Sequence, residues 1–301
     1  MFSYRHAFHA GNHADVLKHV TLIATLRHLM HKASPLTLID THAGAGIYRL
    51  DEVAAQTSGE ALAGIARLQT LAAGSGVAGA LADYLAVIAS FNRAGREWRV
   101  YPGSPLIMHA LMSEPGRAAV HDRLKLFELH PTDAQALAAH VAQLKAGRRV
   151  SAARQDGLAA LRALLPPPAD GGGSRRALAL IDPSYEIKSD YAKVAEAVQD
   201  ALRRFATGVY LVWYPIIGRP EAHALPRRLK TLAQQAERSW LNATLRIGTA
   251  LEGGGLTASG MFIVNPPHTL KAALDEALPQ TLRALAEGRG AGQGWTVECG
   301  P

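Results

Sequence analysis

Short apolar runs alternate with amphipathic stretches along most of the chain. The runs are rich in Leu, Val and Ile, which is typical of buried strands. We predict strands at residues 36–40, 124–129, 148–153, 178–181, 209–215, 242–247 and 260–265. Between them, apolar residues recur every three or four positions, and this spacing predicts helices. Helices are predicted at residues 14–31, 132–145, 191–205, 222–236 and 270–287, with two more beginning near Ser104 and Gly157.

Strands and helices alternate throughout, except that a glycine-rich loop joins the last two strands directly. This alternation predicts an α/β fold with a doubly wound, mostly parallel sheet, because parallel neighbours need a helical crossover. The last two strands should pair antiparallel. A seven-stranded sheet that ends in an antiparallel hairpin is the layout of the Rossmann-like class I methyltransferase fold.

Residues 52–100 interrupt the alternation after the first strand. They are rich in Ala, Leu and Gly, with helical patterns at residues 60–72 and 78–91 and no strand signal. We therefore predict a helical insertion subdomain at 52–100. The catalytic domain would then consist of residues 1–51 and 101–301.

The composition indicates the kind of partner and the cellular compartment of the protein. The chain has 301 residues, 48% of them hydrophobic, and a formal net charge of +7. A basic surplus favours a polyanionic partner such as nucleic acid. The single cysteine, Cys299, excludes a disulfide framework and fits a reducing compartment. With no signal peptide and no membrane span evident, we expect a cytoplasmic protein.

Acidic residues and glycines follow the first four predicted strands, where ligands bind in open α/β sheets. They are Asp40 at the end of the first strand with Gly44 and Gly46 after it, Glu128 near the end of the second, Asp156 and Gly157 after the third, and Asp182 after the fourth. Glycines let a ligand approach the backbone, and a carboxylate after the second strand suits ribose hydroxyls. Taken singly, each acid could be a solvated carboxylate or a helix cap. In this order they are the layout that holds S-adenosylmethionine.

Seven segments of the chain carry a resemblance to a known family. They are YRH at 4–6, HAGNHADVLKH at 9–19, DTHAGAG at 40–46, YPGSP at 101–105, FELHP at 127–131, QDG at 155–157 and DPSYE at 182–186. From end to end, the chain resembles the RlmJ-type 23S ribosomal RNA adenine-N6 methyltransferases. The family usually has a second proline where this chain has Ser184, and the change costs the loop some rigidity.

The resemblance implies three groups of functional residues. The cofactor site would contain His19, His42, Gly44, Gly46, Ser104, Glu128, Asp156, Gly157 and Asp182. The catalytic group would consist of Asp182, Pro183 and Tyr185. The residues implied to serve the RNA are Tyr4, His6 and Lys18.

The implied reaction is N6-methylation of one adenine in 23S ribosomal RNA with S-adenosylmethionine. The N6 lone pair is delocalised into the adenine ring, so the amine needs orientation. Asp182 can accept one N6–H bond and the Pro183 carbonyl the other, while Tyr185 can stack on the extruded base. The same chemistry on DNA is an alternative, although no separate base-reading domain is evident. A catalytically silent RNA-binding protein on the same scaffold is a second alternative.

Several histidines raise the possibility of a metal site. Zinc sites usually combine such residues with Cys or a carboxylate at tight spacing, and this chain lacks that pattern. We therefore expect no metal, and we expect the protein to be a monomer without membrane attachment.

Overall fold

A computed structural model of the protein describes residues 6–52, 55, 57, 59–73, 76–169, 175–248, 255–286 and 292–301. The helices are α1 His13–Met30, α2 Glu60–Ala63, α3 Ile65–Gln69, α4 Gly79–Ser90, α5 Ser104–Met112, α6 Pro131–Gln143, α7 Gly157–Leu164, α8 Ser189–Arg204, α9 Pro220–Gln235 and α10 Leu270–Leu285. The strands are β1 Thr37–Asp40, β2 Ile47–Arg49, β3 Val100–Pro102, β4 Arg123–Phe127, β5 Val150–Ala153, β6 Ala177–Ile181, β7 Val209–Pro215, β8 Trp240–Arg246, β9 Ala258–Val264 and β10 Gly294–Gly300.

One eight-stranded sheet runs through the molecule in the order β10-β8-β9-β7-β6-β1-β4-β5. The five strands from β7 to β5 are parallel, whereas β9 is antiparallel to both β7 and β8. The predicted fold class and the antiparallel pairing of β8 with β9 are therefore confirmed. All seven predicted strands are present, at slightly different bounds.

The sheet differs from the prediction by an eighth strand, β10, which pairs antiparallel with the edge strand β8. Its residues are half-buried or exposed and contain no apolar run, so the pattern gave no strand signal there. A separate two-stranded hairpin of β2 and β3 was also not predicted. Both strands of that hairpin are only three residues long, too short for a periodic pattern.

The two faces of the sheet are covered by different helices. In β1, Leu38 faces a core formed with α1, α4, α5 and α10, and the next residue, Ile39, faces a core formed with α7, α8 and α9. Successive side chains of a strand point to opposite faces, so each strand contributes to both cores. Strand β1 lies between β6 and β4, which places the reversal of strand order at its carboxyl end.

The predicted insertion contributes to the first of these cores. Buried Ile65, Leu81 and Tyr84 belong to the same apolar cluster as Leu17 and Val20 of α1. The helix predicted at 60–72 is two short helices, because Gly64 lies against the backbone of Gly11. A Cβ atom there would be 2.0 Å from the Gly11 carbonyl oxygen. The bounds of the insertion as a separate subdomain stay a prediction.

Among the described residues, no helix is long and apolar enough to cross a lipid bilayer.

Candidate active site

A cavity of about 660 Å³ opens where the parallel strands end. Its size is that of a small-molecule or cofactor pocket. The predicted residues that line it are His6, Lys18, His19, His42, Gly44, Ser104, Glu128, Asp156, Gly157, Asp182, Pro183 and Tyr185. Gly46 is not among the lining residues; its carbonyl accepts a hydrogen bond from the Gly103 N–H at 2.9 Å. Tyr4 lies outside the described residues.

The carboxylate of Asp182 is bound to a buried lysine. Lys18 Nζ lies 2.5 Å from Asp182 Oδ2 and 2.7 Å from Asp15 Oδ1. Burial raises the pKa of Asp182, and the Lys18 charge opposes this rise. Burial lowers the pKa of Lys18, but Asp15 and Asp182 outweigh it and hold that pKa well above its usual value. Lys18, which was predicted to serve the RNA, is therefore positioned to hold the Asp182 carboxylate.

Asp15 connects the start of α1 to this pair and was not predicted. Its Oδ2 accepts hydrogen bonds from the Gly11 N–H at 2.8 Å and lies 3.0 Å from His6 Nε2. Burial raises the pKa of Asp15, yet the nearby charges of His6 and Lys18 bring it well below its usual value. Asp15 therefore stays ionised and fixes both His6 and Lys18. Its sequence signals were its place in the segment 9–19 and its position three residues before Lys18 on one helix face.

Tyr185 has a strained backbone and is held in place from three sides. Its φ is 53°, which is uncommon for a residue other than glycine. Its hydroxyl donates to the Trp213 carbonyl at 2.8 Å, and its ring centroid is 4.5 Å from that of Tyr191. Arg219 Nη1 donates to the Tyr185 carbonyl at 3.0 Å. Strain of this kind persists only where the surroundings enforce it. Trp213 and Arg219 are thus supports of the motif that the sequence did not indicate.

The glycine-containing loop after β1 is tied to the acid after β4. Gly44 N–H donates to Glu128 Oε2 at 2.8 Å, and His130 N–H donates to Oε1 at 2.7 Å. Burial raises the pKa of Glu128, and these backbone bonds oppose the rise. A Cβ on Gly44 would lie 2.2 Å from Tyr48 Oη, in a backbone with φ of 57°. Glycine is therefore required at this turn.

The acid after β5 has a structural role as well as a place in the cavity wall. Asp156 Oδ1 accepts from Leu158 N–H at 2.9 Å and from Ala159 N–H at 3.2 Å, so it caps α7. The next residue, Gly157, lies against the loop after β1. A Cβ there would be 2.1 Å from the Thr41 carbonyl oxygen.

Burial also shifts the pKa of two histidines that line the cavity, His19 and His42, and of Asp40, which is buried at the end of β1. Burial raises the pKa of Asp40 to about 7, and Ser104 Oγ donates to its Oδ2 at 2.6 Å. Burial lowers the pKa of His19 to about 3 and that of His42 to about 4. His19 Nδ1 lies 2.7 Å from the Tyr101 hydroxyl, whereas its buried Nε2 has no hydrogen-bond partner in the described part of the chain.

No cluster of three or more His, Cys, Asp or Glu side chains that could hold a metal ion is found among the described residues.

Known proteins resemble this chain over nearly its whole length. The model of one family, described as ribosomal RNA large subunit methyltransferase D, RlmJ, matches residues 33–298. The chain belongs to the RlmJ family. Membership confirms the resemblance inferred from the seven segments, and with it an enzyme class that methylates ribosomal RNA of the large subunit.

Two RlmJ relatives and one solved structure are similar to the chain. A ribosomal RNA large subunit methyltransferase J from Escherichia coli is 40% identical over 93% of this chain and 92% of its own length. The protein of the same name from Haemophilus influenzae is 39% identical over 99% of this chain and 98% of its own length. A crystal structure of a Legionella pneumophila protein is 31% identical, with a TM-score of 0.81 over 97% of this chain and 98% of that one.

Proposed function

We propose that the protein transfers the methyl group of S-adenosylmethionine to N6 of one adenine in 23S ribosomal RNA. The carboxylate of Asp182 carries this proposal. It lies at a cavity wall beside Pro183 and Tyr185, and Lys18 holds one of its oxygens at 2.5 Å. A hydrogen-bond acceptor fixed at the end of a strand is what orientation of an amine requires.

The cavity residues fit S-adenosylmethionine, which when bound supplies an activated methyl group on a positively charged sulfur. Carboxylates of Glu128 and Asp156 line the cavity and can accept from hydroxyl and amino groups. His19 Nε2 is buried there with its hydrogen-bonding capacity unused within the described chain. Gly44 lines the same cavity, and its N–H holds the Glu128 carboxylate in place.

Asp182 and Pro183 would act directly on the target base. Asp182 accepts a hydrogen bond from one N6–H, and the Pro183 carbonyl accepts from the other. The Lys18 charge favours the ionised form of Asp182 and opposes burial, which raises the pKa of this carboxyl. Tyr185 supplies an aromatic ring for a base removed from its stack, as enzymes that modify bases require. His6 and Tyr4 would contact the RNA around that base. The net charge of +7 would attract the phosphates of the RNA.

Single-turnover methyl transfer to a 23S RNA fragment tests this assignment. Asp182→Ala should abolish transfer, because the lost interaction matters mainly in the transition state. Asp182→Asn keeps an acceptor without the charge, so its rate should lie above that of Asp182→Ala and far below wild type. Ser184→Pro restores the usual family motif and should leave the rate equal or higher. A wild-type rate in Asp182→Ala would show that another group orients the amine.

Calorimetry with S-adenosylhomocysteine separates the cofactor site from the catalytic residue. Glu128→Ala should weaken binding by about 1–3 kcal/mol, the usual loss for a hydrogen bond to a charged group. Asp182→Ala should bind nearly as well as wild type. Equal affinity of Glu128→Ala and wild type would remove Glu128 from the cofactor site. Transfer to DNA rather than RNA, or no cofactor binding at all, would favour one of the two alternative functions.

A further inference from the structure

A second cavity, of about 500 Å³, opens beside the first. It lies at the end of β7 and β8 and the start of β9. Ile217, Gly255 and Leu256 line both cavities, so the two spaces adjoin along one shared wall. A ligand in the second cavity would therefore be an immediate neighbour of a base held at Asp182.

The lining of the second cavity combines an apolar surface with unused basic groups. Ile216, Ile217 and Leu256 provide the apolar part. His223 and Arg246 are exposed, and neither side chain has a hydrogen bond or ion pair with another residue in the part of the chain that the structure describes. None of the described lining residues is acidic. This chemistry suits a flat heterocycle joined to an anion, and it repels a cation.

The walls of this cavity are fixed by backbone hydrogen bonds and connected to the catalytic motif. Ile216 N–H donates to the Ala258 carbonyl at 2.9 Å, and Ile247 N–H donates to the Thr257 carbonyl at 2.9 Å. Two residues after Ile217, the Arg219 side chain donates to the Tyr185 carbonyl at 3.0 Å. One short loop thus borders the second cavity and supports the catalytic loop.

We propose that the second cavity is a subsite for the nucleotide next to the target adenine in the RNA. Its base would contact Ile217 and Leu256, and its phosphate would lie near Arg246 and His223. This inference rests on the proposed function, because it requires the target base to occupy the first cavity. A neighbouring nucleotide held in this way would keep the RNA strand unstacked at this point after the target base has left the stack.

Single-turnover methyl transfer to three matched RNA substrates tests the subsite. One RNA carries the target adenine with both neighbours intact, and two others lack the base of the 5′ or the 3′ neighbour but keep its phosphate. For the wild type, loss of one of these bases should lower the rate constant roughly tenfold. Leu256→Ser should lower the rate constant for the intact RNA. It should also remove the difference in rate constant between the intact RNA and the abasic RNA that the wild type methylates more slowly. Leu62→Ser, which changes an exposed leucine in α2, should behave as wild type.

The salt dependence of RNA binding tests the proposed contact between Arg246 and a phosphate. Arg246→Ala should reduce the slope of RNA affinity against salt concentration by about one. Arg228→Ala removes the same charge from an exposed position on α9 and should leave the slope unchanged.

The subsite is wrong if Leu256→Ser discriminates between intact and abasic RNA as strongly as the wild type, or if Arg246→Ala keeps the wild-type slope. In both cases the wild type still methylates the RNA, so the proposed function stands. Failure of the wild type to methylate any of the three RNAs would overturn the proposed function, and the subsite with it.

Discussion

At the residue scale, the protonation and position of the site residues depend on charged side chains that the fold buries. Lys18 is 5% exposed and lies between two carboxylates, so its buried charge is compensated only while these partners are ionised. Asp182 could be predicted, because an acid beside proline at a strand end has a sequence signature. Its pairing with Lys18 could not, since 164 positions separate the two residues and neither has a local pattern for the contact.

Removal of the lysine charge should change the pH dependence of methyl transfer. Lys18→Met eliminates the group that lowers the pKa of Asp182 and leaves burial, which raises it. The ionised form is the one that accepts from N6, so activity appears as pH rises through this pKa. The acid limb of the rate profile should therefore move to higher pH, and the rate at neutral pH should fall about tenfold or more.

Lys193→Met is the matched control for this change. Lys193 also lines the cavity, but it is exposed and its Nζ lies 3.4 Å from Asp190. Its pH profile should coincide with that of the wild type. A profile for Lys18→Met that keeps its wild-type acid limb would mean that Lys18 does not set the ionisation of Asp182.

Elements position the site because their ends converge on the cavity. Strands β1 and β6 are buried apolar runs, so they and the acids at their ends could be predicted, whereas β4 and the edge strand β5 contain exposed positions and gave a weaker signal. The contacts between loops could not be predicted, because they depend on how close two backbones come. Gly157 illustrates this: the sequence marked it as a neighbour of an acid, whereas the structure shows α7 beginning against the Thr41 carbonyl.

Gly157→Ala should therefore destabilise the protein. The added methyl group meets backbone atoms, which cannot move as a flexible side chain can, and overpacking of this kind typically costs about 1–3 kcal/mol. Urea unfolding measures the loss. Gly79→Ala in α4 is the control, since nothing lies within 4 Å of its Cβ position, and it should be neutral or stabilise by about 0.4–1 kcal/mol. Equal midpoints for Gly157→Ala and wild type would contradict the close contact with Thr41.

The whole molecule is held by two apolar cores on opposite faces of one sheet. Sequence periodicity indicated the sheet and the insertion, but it could not show that the insertion shares a core with α1. That sharing depends on which helix faces meet, and periodicity gives only that each helix has an apolar face. Because Ile65, Leu81 and Tyr84 lie in the same cluster as α1, we expect the insertion to unfold together with the sheet.

Leu81→Ala tests this shared core. The side chain is fully buried in α4, so its truncation should lower the free energy of unfolding by about 2–5 kcal/mol. Circular dichroism and tryptophan fluorescence should report one common urea transition, shifted to lower urea. Leu62→Ala, at a leucine that is 65% exposed, should change stability by no more than about 0.5 kcal/mol. An early transition that moves alone in Leu81→Ala would show that the insertion unfolds independently.

The edge strand β10 has a consequence for the protein while it is being made. Strand β8 needs β10 along one side, yet residues 247–293 leave the ribosome between the two. Strand β8 joins the sheet only once β9 has been made, and until β10 follows, the outer edge of β8 presents unpaired N–H and carbonyl groups, which can pair with a strand of another nascent chain. We therefore expect the time between synthesis of β8 and of β10 to be the period in which this chain most depends on chaperones.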